Sequence, residues 1–121
     1  MDFELGQAQT DFARIIWEHE PVSSGKLAKY AEEQLHWKKS TTYTVLRKLC
    51  DKGLFQNKDG VVTSLVSSSD FFAHKTEQII RTSFHDSLPA FVAAFVSKRT
   101  LSQKEADEIQ AIINQFKEKQ L

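Results

Sequence analysis

The chain has 121 residues, 16 basic and 16 acidic side chains and 40% hydrophobic residues, a balance that fits one soluble domain or two small modules and excludes disordered and fibrous classes. Its longest apolar run, Pro89 to Val96, is far too short for a membrane span, and the opening Met1-Asp2-Phe3-Glu4 lacks the basic and apolar blocks of a signal peptide, so a cytoplasmic protein is expected. Cys50 stands alone, which excludes an internal disulfide and any multi-cysteine metal site built from one chain.

The first expected helix covers about residues 7 to 18, with Ala8, Phe12, Ile15 and Ile16 at helical spacing and Trp17 widening the apolar face. Gly6 is a tolerable N-cap, Gln9 holds the capping-box position, and Pro21 stops the segment. Ser23 is expected to cap a second helix that carries Leu27, Tyr30, Ala31 and Leu35 and ends near Leu35. A third runs from about Lys39 or Ser40 to Lys52, and Gly53 suits the left-handed C-terminal position. At about 100° per residue, Thr42, Val45, Leu46 and Leu49 share one face of it. Ser40, Thr44, Arg47 and Asp51 lie opposite, flanked by Tyr43 and Lys48. One face packs and the other is free to touch a ligand.

Charge follows the same division. Residues 1 to 35 hold seven acidic and three basic side chains (net −4), while residues 36 to 60 hold six basic and two acidic ones (net +4, His neutral). A local positive patch can steer a polyanion onto one face of a chain that is neutral as a whole. In "LFQNKDGVVTSLV", residues 54 to 66, two apolar-rich runs flank Asp59-Gly60, a strong hairpin signal because a type I′ turn needs positive φ at both central positions. Lys58 falls near the tip. Three helices and such a hairpin describe a winged helix-turn-helix, in which the third helix can enter the major groove and the hairpin lies along the backbone.

Beyond a serine-rich joint, Ser67-Ser68-Ser69, the pattern turns helical again. Phe72, Ile79, Ile80 and Phe84 mark one helix, and Leu88, Phe91, Val92, Phe95 and Val96 mark a second, in which Pro89 fits only the first turn. Ser102-Gln103-Lys104-Glu105 is a capping box that opens a third, carrying Ile109, Ile112, Ile113 and Phe116. These stripes are wider than so few elements can bury within one chain, and a partner chain is their natural cover. A symmetric dimer would relate two reading helices by a two-fold axis and match a palindromic site; the duller reading folds the tail back as a monomer. The expected fold is therefore mainly α with a small β-hairpin: a winged-helix DNA-binding domain, residues 1–68, and a helical dimerisation domain, residues 69–121.

Leu5 with Ala8, Ile16-Trp17, Val22-Ser23, Trp37-Lys38, Thr41, Leu46, Lys48-Leu49, Lys52-Gly53-Leu54, Lys58-Asp59-Gly60, Phe95-Val96, Leu101-Ser102 and Glu105 form a series of stretches in fixed order and spacing. Together, over roughly residues 5 to 117, they resemble the penicillinase-repressor family of bacterial transcription regulators. The resemblance implies a homodimeric repressor that blocks transcription from an inverted-repeat operator until an inducing signal removes it. Members of the antibiotic branch carry an asparagine before the phenylalanine, at a bond associated with cutting by a membrane sensor protease. Here Ala94 holds that position, so induction by that route is not expected. Copper-responsive members carry Cys-x-Cys pairs in a C-terminal extension; this sequence runs to Leu121 with none, so copper sensing by that chemistry is not expected either.

Arg47 is the expected base reader, since a guanidinium grips a guanine edge through two hydrogen bonds. Ser40 and Thr44 reach bases or phosphates from the same face, and Thr41 is counted with them through the family match. Tyr43 is expected to pack on a thymine methyl or bond to a phosphate. Lys38, Lys39, Lys48 and Lys58 are expected to neutralise phosphates, the duller reading of each being a solvated surface charge, with Asn57 as a donor from the hairpin. Many relatives have a basic residue and aromatics after the Asp-Gly turn, where this chain has Val61, Val62, Thr63 and Ser64, so a weak wing contact is expected.

No metal, cofactor or catalytic site is expected. His19, His36, His74 and His85 show no i, i+4 pair, and no histidine is spaced to activate the serines and threonines of "KKSTTYT". Cys50 reads as a small partly buried side chain more readily than as a redox sensor. The competing function is a winged-helix adaptor that binds protein, anchored by Tyr43 and Phe55.

Overall fold

Local signals in the first sixty residues produce the elements they announce. The computed structural model describes residues 3–120; Met1, Asp2 and Leu121, which enter the reading of the chain's start and the outer bounds of the expected domains, lie outside the described residues. Helix α1 spans Gln7–His19, and the Gly6 amide donates to Gln9 Oε1 at 3.2 Å to open it. Helix α2, Ser24–Leu35, starts where Ser23 Oγ accepts from the Lys26 amide at 3.1 Å, and it ends on His36 in the left-handed conformation (φ 58°). Helix α3 covers Lys39–Asp51 and is followed by Gly53 at φ 82°. Strands β2 (Phe55–Lys58) and β3 (Val61–Ser64) flank Asp59 and Gly60, both at positive φ (53° and 82°) as a type I′ turn requires.

A third strand joins them. Val22–Ser23, expected only as the approach to α2, forms β1 and pairs antiparallel with β3, giving the sheet order β1-β3-β2. Two residues are too few to show a strand's alternation in sequence, so only the partner strand reveals it.

The apolar face of each helix and the inner face of the sheet meet in one core, with Phe12, Ile16, Leu27, Leu49, Leu54, Phe55, Val62 and Phe71 fully buried. Trp17 roofs it. Its ring lies 5.2–5.9 Å from those of Phe55, Phe71 and Phe72, and its Nε1 donates to the Val66 carbonyl at 3.0 Å, so the indole is packed without a stranded donor.

Helix α4 spans Ser68–Ser83, α5 Leu88–Lys98 and α6 Gln103–Gln120. The serine cluster read as a joint is a helix start instead: Ser67 Oγ accepts from the Asp70 amide at 3.1 Å, and Ser68 and Ser69 form the first turn. The chain divides into two compact units within α4, Met1–Gln78 and Ile79–Leu121. The reason is Phe71, which is buried in the first core, and Phe72, which packs against it.

The second unit is capped as its sequence suggests. Ser87 Oγ accepts from the Ala90 amide at 3.1 Å with Pro89 in the first turn of α5, while Ser102 and Glu105 bond each other's amides at 3.0 and 3.3 Å before α6. Phe84 falls just outside α4, in a turn whose next two residues, His85 and Asp86, both adopt positive φ. Among the described residues of this unit none is buried, and across the described residues no helix is long and apolar enough to cross a membrane.

Candidate nucleic-acid interface

Helix α3 sorts its residues by face as the wheel requires. Thr42, Leu46 and Leu49 are buried, Val45 is half-buried, and Thr42 Oγ1 is satisfied by donating to the Lys38 carbonyl at 3.4 Å. Lys38, Lys39, Ser40, Thr41, Tyr43, Thr44, Arg47 and Lys48 are all exposed. This face is continuous and carries four cationic groups. Thr44 Oγ1 donates to the Ser40 carbonyl at 3.0 Å, which commits its proton and leaves its oxygen free to accept. Lys39 Nζ lies over the Tyr43 ring, 5.9 Å from its centre, a cation–π distance that holds charge above the aromatic face. No side chain caps the N-terminus of α3 at Lys38, so the amides of its first turn are open to an anion.

On the wing, Asn57 and Lys58 are exposed on β2, in register with Val62 and Val61 of β3. Val62 is buried, whereas Val61 is 46% exposed and leaves an apolar side chain near the tip. The bonds that fix the wing were missed in the sequence: Ser24 to Gly60 and Ser64 to Glu20 join positions some forty residues apart, which no local pattern signals. Phe55, the other proposed anchor of an adaptor surface, is buried and therefore closed to a protein partner.

Cys50 is half-buried, and burial first and the Asp51 carboxylate second push its thiol up from the ordinary cysteine value. A thiol held protonated is a poor nucleophile and metal ligand. Among the described residues no group of three His, Cys, Asp or Glu side chains is arranged to hold a metal ion.

Of the tail residues, Phe72 sits half-buried against the first core, beneath the Arg14 guanidinium at 5.0 Å. Ile80, Phe84 and Phe91 are half-buried, with the Phe84 and Phe91 rings edge to face at 5.5 Å. Ile79, Leu88, Val92, Phe95, Ile109, Ile112, Ile113 and Phe116 are exposed, Phe95 by 53%, Phe116 by 62% and Ile112 by 65%. Phe91, Val92, Phe95, Val96, Leu101 and Ile109 line an open groove within this unit, with the Arg99–Glu105 ion pair (2.9 Å) at its edge.

The family model described as penicillinase repressor matches residues 5–115. The methicillin resistance regulatory protein MecI of Staphylococcus aureus is 28% identical over 116 residues, covering 93% of this chain and 94% of that protein. The penicillinase repressor of Bacillus licheniformis is 25% identical over 118 residues, covering 94% of this chain and 92% of that one. Among solved structures, a Staphylococcus aureus MarR in complex with salicylate and kanamycin is similar at TM-score 0.42 and 19% identity, over 94% of this chain and 72% of that chain.

Proposed function

Because the chain belongs to the penicillinase repressor family, whose members are DNA-binding transcriptional repressors and not enzymes, we propose that it binds a palindromic operator as a homodimer and blocks transcription there. The observation that carries this reading is the outward face of α3, where Arg47 and four hydroxyl-bearing side chains stand exposed among Lys38, Lys39 and Lys48. A helix with this surface enters the major groove. Arg47 grips a guanine through two parallel bonds, Ser40 and Thr44 accompany it, and Tyr43 rests on a methyl group or a phosphate. The lysines and the open amides at the start of α3 neutralise phosphates, and Lys58 with Asn57 adds the wing's contact to the adjoining backbone.

The second unit supplies the doubling. Its exposed isoleucines and phenylalanines are too numerous for a solvated monomer surface and suit a self-complementary contact across a two-fold axis. Two α3 helices then meet half-sites on one face of the duplex, separated by one helical turn of about 10 base pairs or a multiple of it. Release by cutting before Phe95 is not part of this proposal, because Ala94 replaces the asparagine of the antibiotic branch.

A mobility-shift titration across salt concentrations tests the reading. Neutralising several phosphates makes binding fall steeply as salt rises. A protein that shifts no duplex even at low salt would instead be an adaptor.

A further inference from the structure

We propose that Glu20 is a positioning residue for DNA binding: its carboxylate completes a brace along the wing and so sets where Lys58 meets the phosphate backbone. This rests on the DNA-binding reading above, and its argument begins with register. β1 pairs Val22 with Val62 and Ser23 with Val61. Continued one step toward the wing tip, the same antiparallel register brings Ser24 opposite Gly60, and the Ser24 amide donates to the Gly60 carbonyl at 2.9 Å. Continued the other way it meets Pro21, which has no N–H to donate, so a backbone ladder cannot run on through that residue.

Glu20 replaces the missing rung. Its Oε1 accepts from the Ser64 amide at 2.8 Å and from Ser64 Oγ at 2.7 Å, in the same register two places beyond Val22–Val62. Both donors bind one side-chain oxygen, so a single acceptor atom holds the Ser64 amide and hydroxyl together. The segment from residue 20 to 24 therefore spans β3 and the turn residue Gly60 before it, partly through backbone and partly through a side chain.

Each end of the brace is rooted in a helix. The Glu20 amide donates to the Ile16 carbonyl at 2.9 Å, closing α1, and Ser24 is the first residue of α2. The base of the wing is thus tied to α1 and its tip to the helix that precedes α3. Lys58 lies directly across from Val61, the strand residue paired with Ser23. Without the Glu20 rung, β3 keeps two paired residues and its tip bond, and the hairpin pivots about them. Lys58 then no longer holds a fixed distance from α3, and its phosphate contact is averaged away.

The test compares wild type, Glu20→Ala, Glu20→Gln, Lys58→Ala and the Glu20→Ala/Lys58→Ala double variant, by fluorescence anisotropy on a duplex selected from a random pool and on random duplex. Losing a surface phosphate contact costs about two- to fivefold in affinity, so Lys58→Ala and Glu20→Ala are each expected to fall by that factor. In the double variant the second substitution adds little, because the contact is already lost; Glu20→Gln, whose amide oxygen still accepts from Ser64, binds as wild type. A merely structural Glu20 would lower the melting temperature yet leave the two losses multiplying in full, which overturns the proposal, as does a Glu20→Gln variant as weak as Glu20→Ala. Amide hydrogen exchange on the same proteins without DNA reads the brace by itself. Faster exchange at Ser64 and along β3 in Glu20→Ala, restored in Glu20→Gln, supports it; unchanged exchange overturns it even where no duplex binds, an outcome that sinks the DNA-binding reading separately. Where Glu20→Ala fails to fold, Ser64→Ala, which deletes only the 2.7 Å bond, carries the same measurements.

Discussion

The two units draw on the same apolar residue types and finish in opposite states. In the first, phenylalanine, isoleucine and leucine from α1, α2, α3, the sheet and the start of α4 converge, and Phe12, Ile16, Leu27 and Phe71 have no exposed surface. In the second, equally good helices with sound caps leave Phe95, Ile112 and Phe116 more than half exposed. Capping and amphipathicity form a helix locally; a core requires facing surfaces, and this unit holds fewer of them than it has apolar stripes. The first unit closes its own core. The second is half of an interior whose other half, on our proposal, is a second copy of the chain.

Substitutions that strike one unit and spare the other sharpen this contrast. The largest effect is expected from Phe95→Asp combined with Phe116→Asp. Charges in the apolar face should leave a monomer by sedimentation equilibrium, and loss of two-site attachment should weaken operator binding by about two to four orders of magnitude, with half-site binding by the head unaffected. Phe12→Ala works the other way: emptying a fully buried ring site should cost about 3–5 kcal/mol of folding stability, read as a lowered denaturation midpoint. Arg47→Ala should leave stability within error and cost about 1–3 kcal/mol on the selected site alone, measured by titration against a matched random duplex.

Smaller still, Lys58→Ala should weaken selected and random duplexes alike, by under about 1 kcal/mol, and reduce the salt dependence by about one phosphate's share. The least change is expected at Cys50. Its raised thiol pKa means less thiolate near neutral pH, so iodoacetamide should label it more slowly than a free cysteine, with the rate rising only as the solution becomes alkaline. Rapid labelling at neutral pH, with loss of binding, would reopen the redox reading.

What could be read beforehand depended on range. The two faces of α3 followed from residues three and four apart, and Asp59-Gly60 announced the turn between β2 and β3, because both signals are local. Ser23 and Ser102 declared themselves as caps for the same reason. The Glu20–Ser64 bonds join residues forty-four apart, and β1 exists only because β3 lies beside it. Neither leaves a periodic trace. The serines at 67–69 misled through composition, since a serine cluster is both loop material and good N-cap material, and the burial of Phe71 carries α4 into the first unit. His36, His85 and Asp86 take left-handed conformations that glycine usually fills, so no glycine marked those turns.

The central claim is that one exposed face of α3, presented twice by a dimer, reads duplex DNA. Selection of bound sequences from a random duplex pool tests it most directly. The account predicts enrichment of a palindrome whose half-sites are centred about 10 base pairs, or a multiple of that, apart, and whose conserved guanine is lost from the pool when Arg47→Ala is used. A pool that remains random, or that yields a single unpaired half-site, would contradict it.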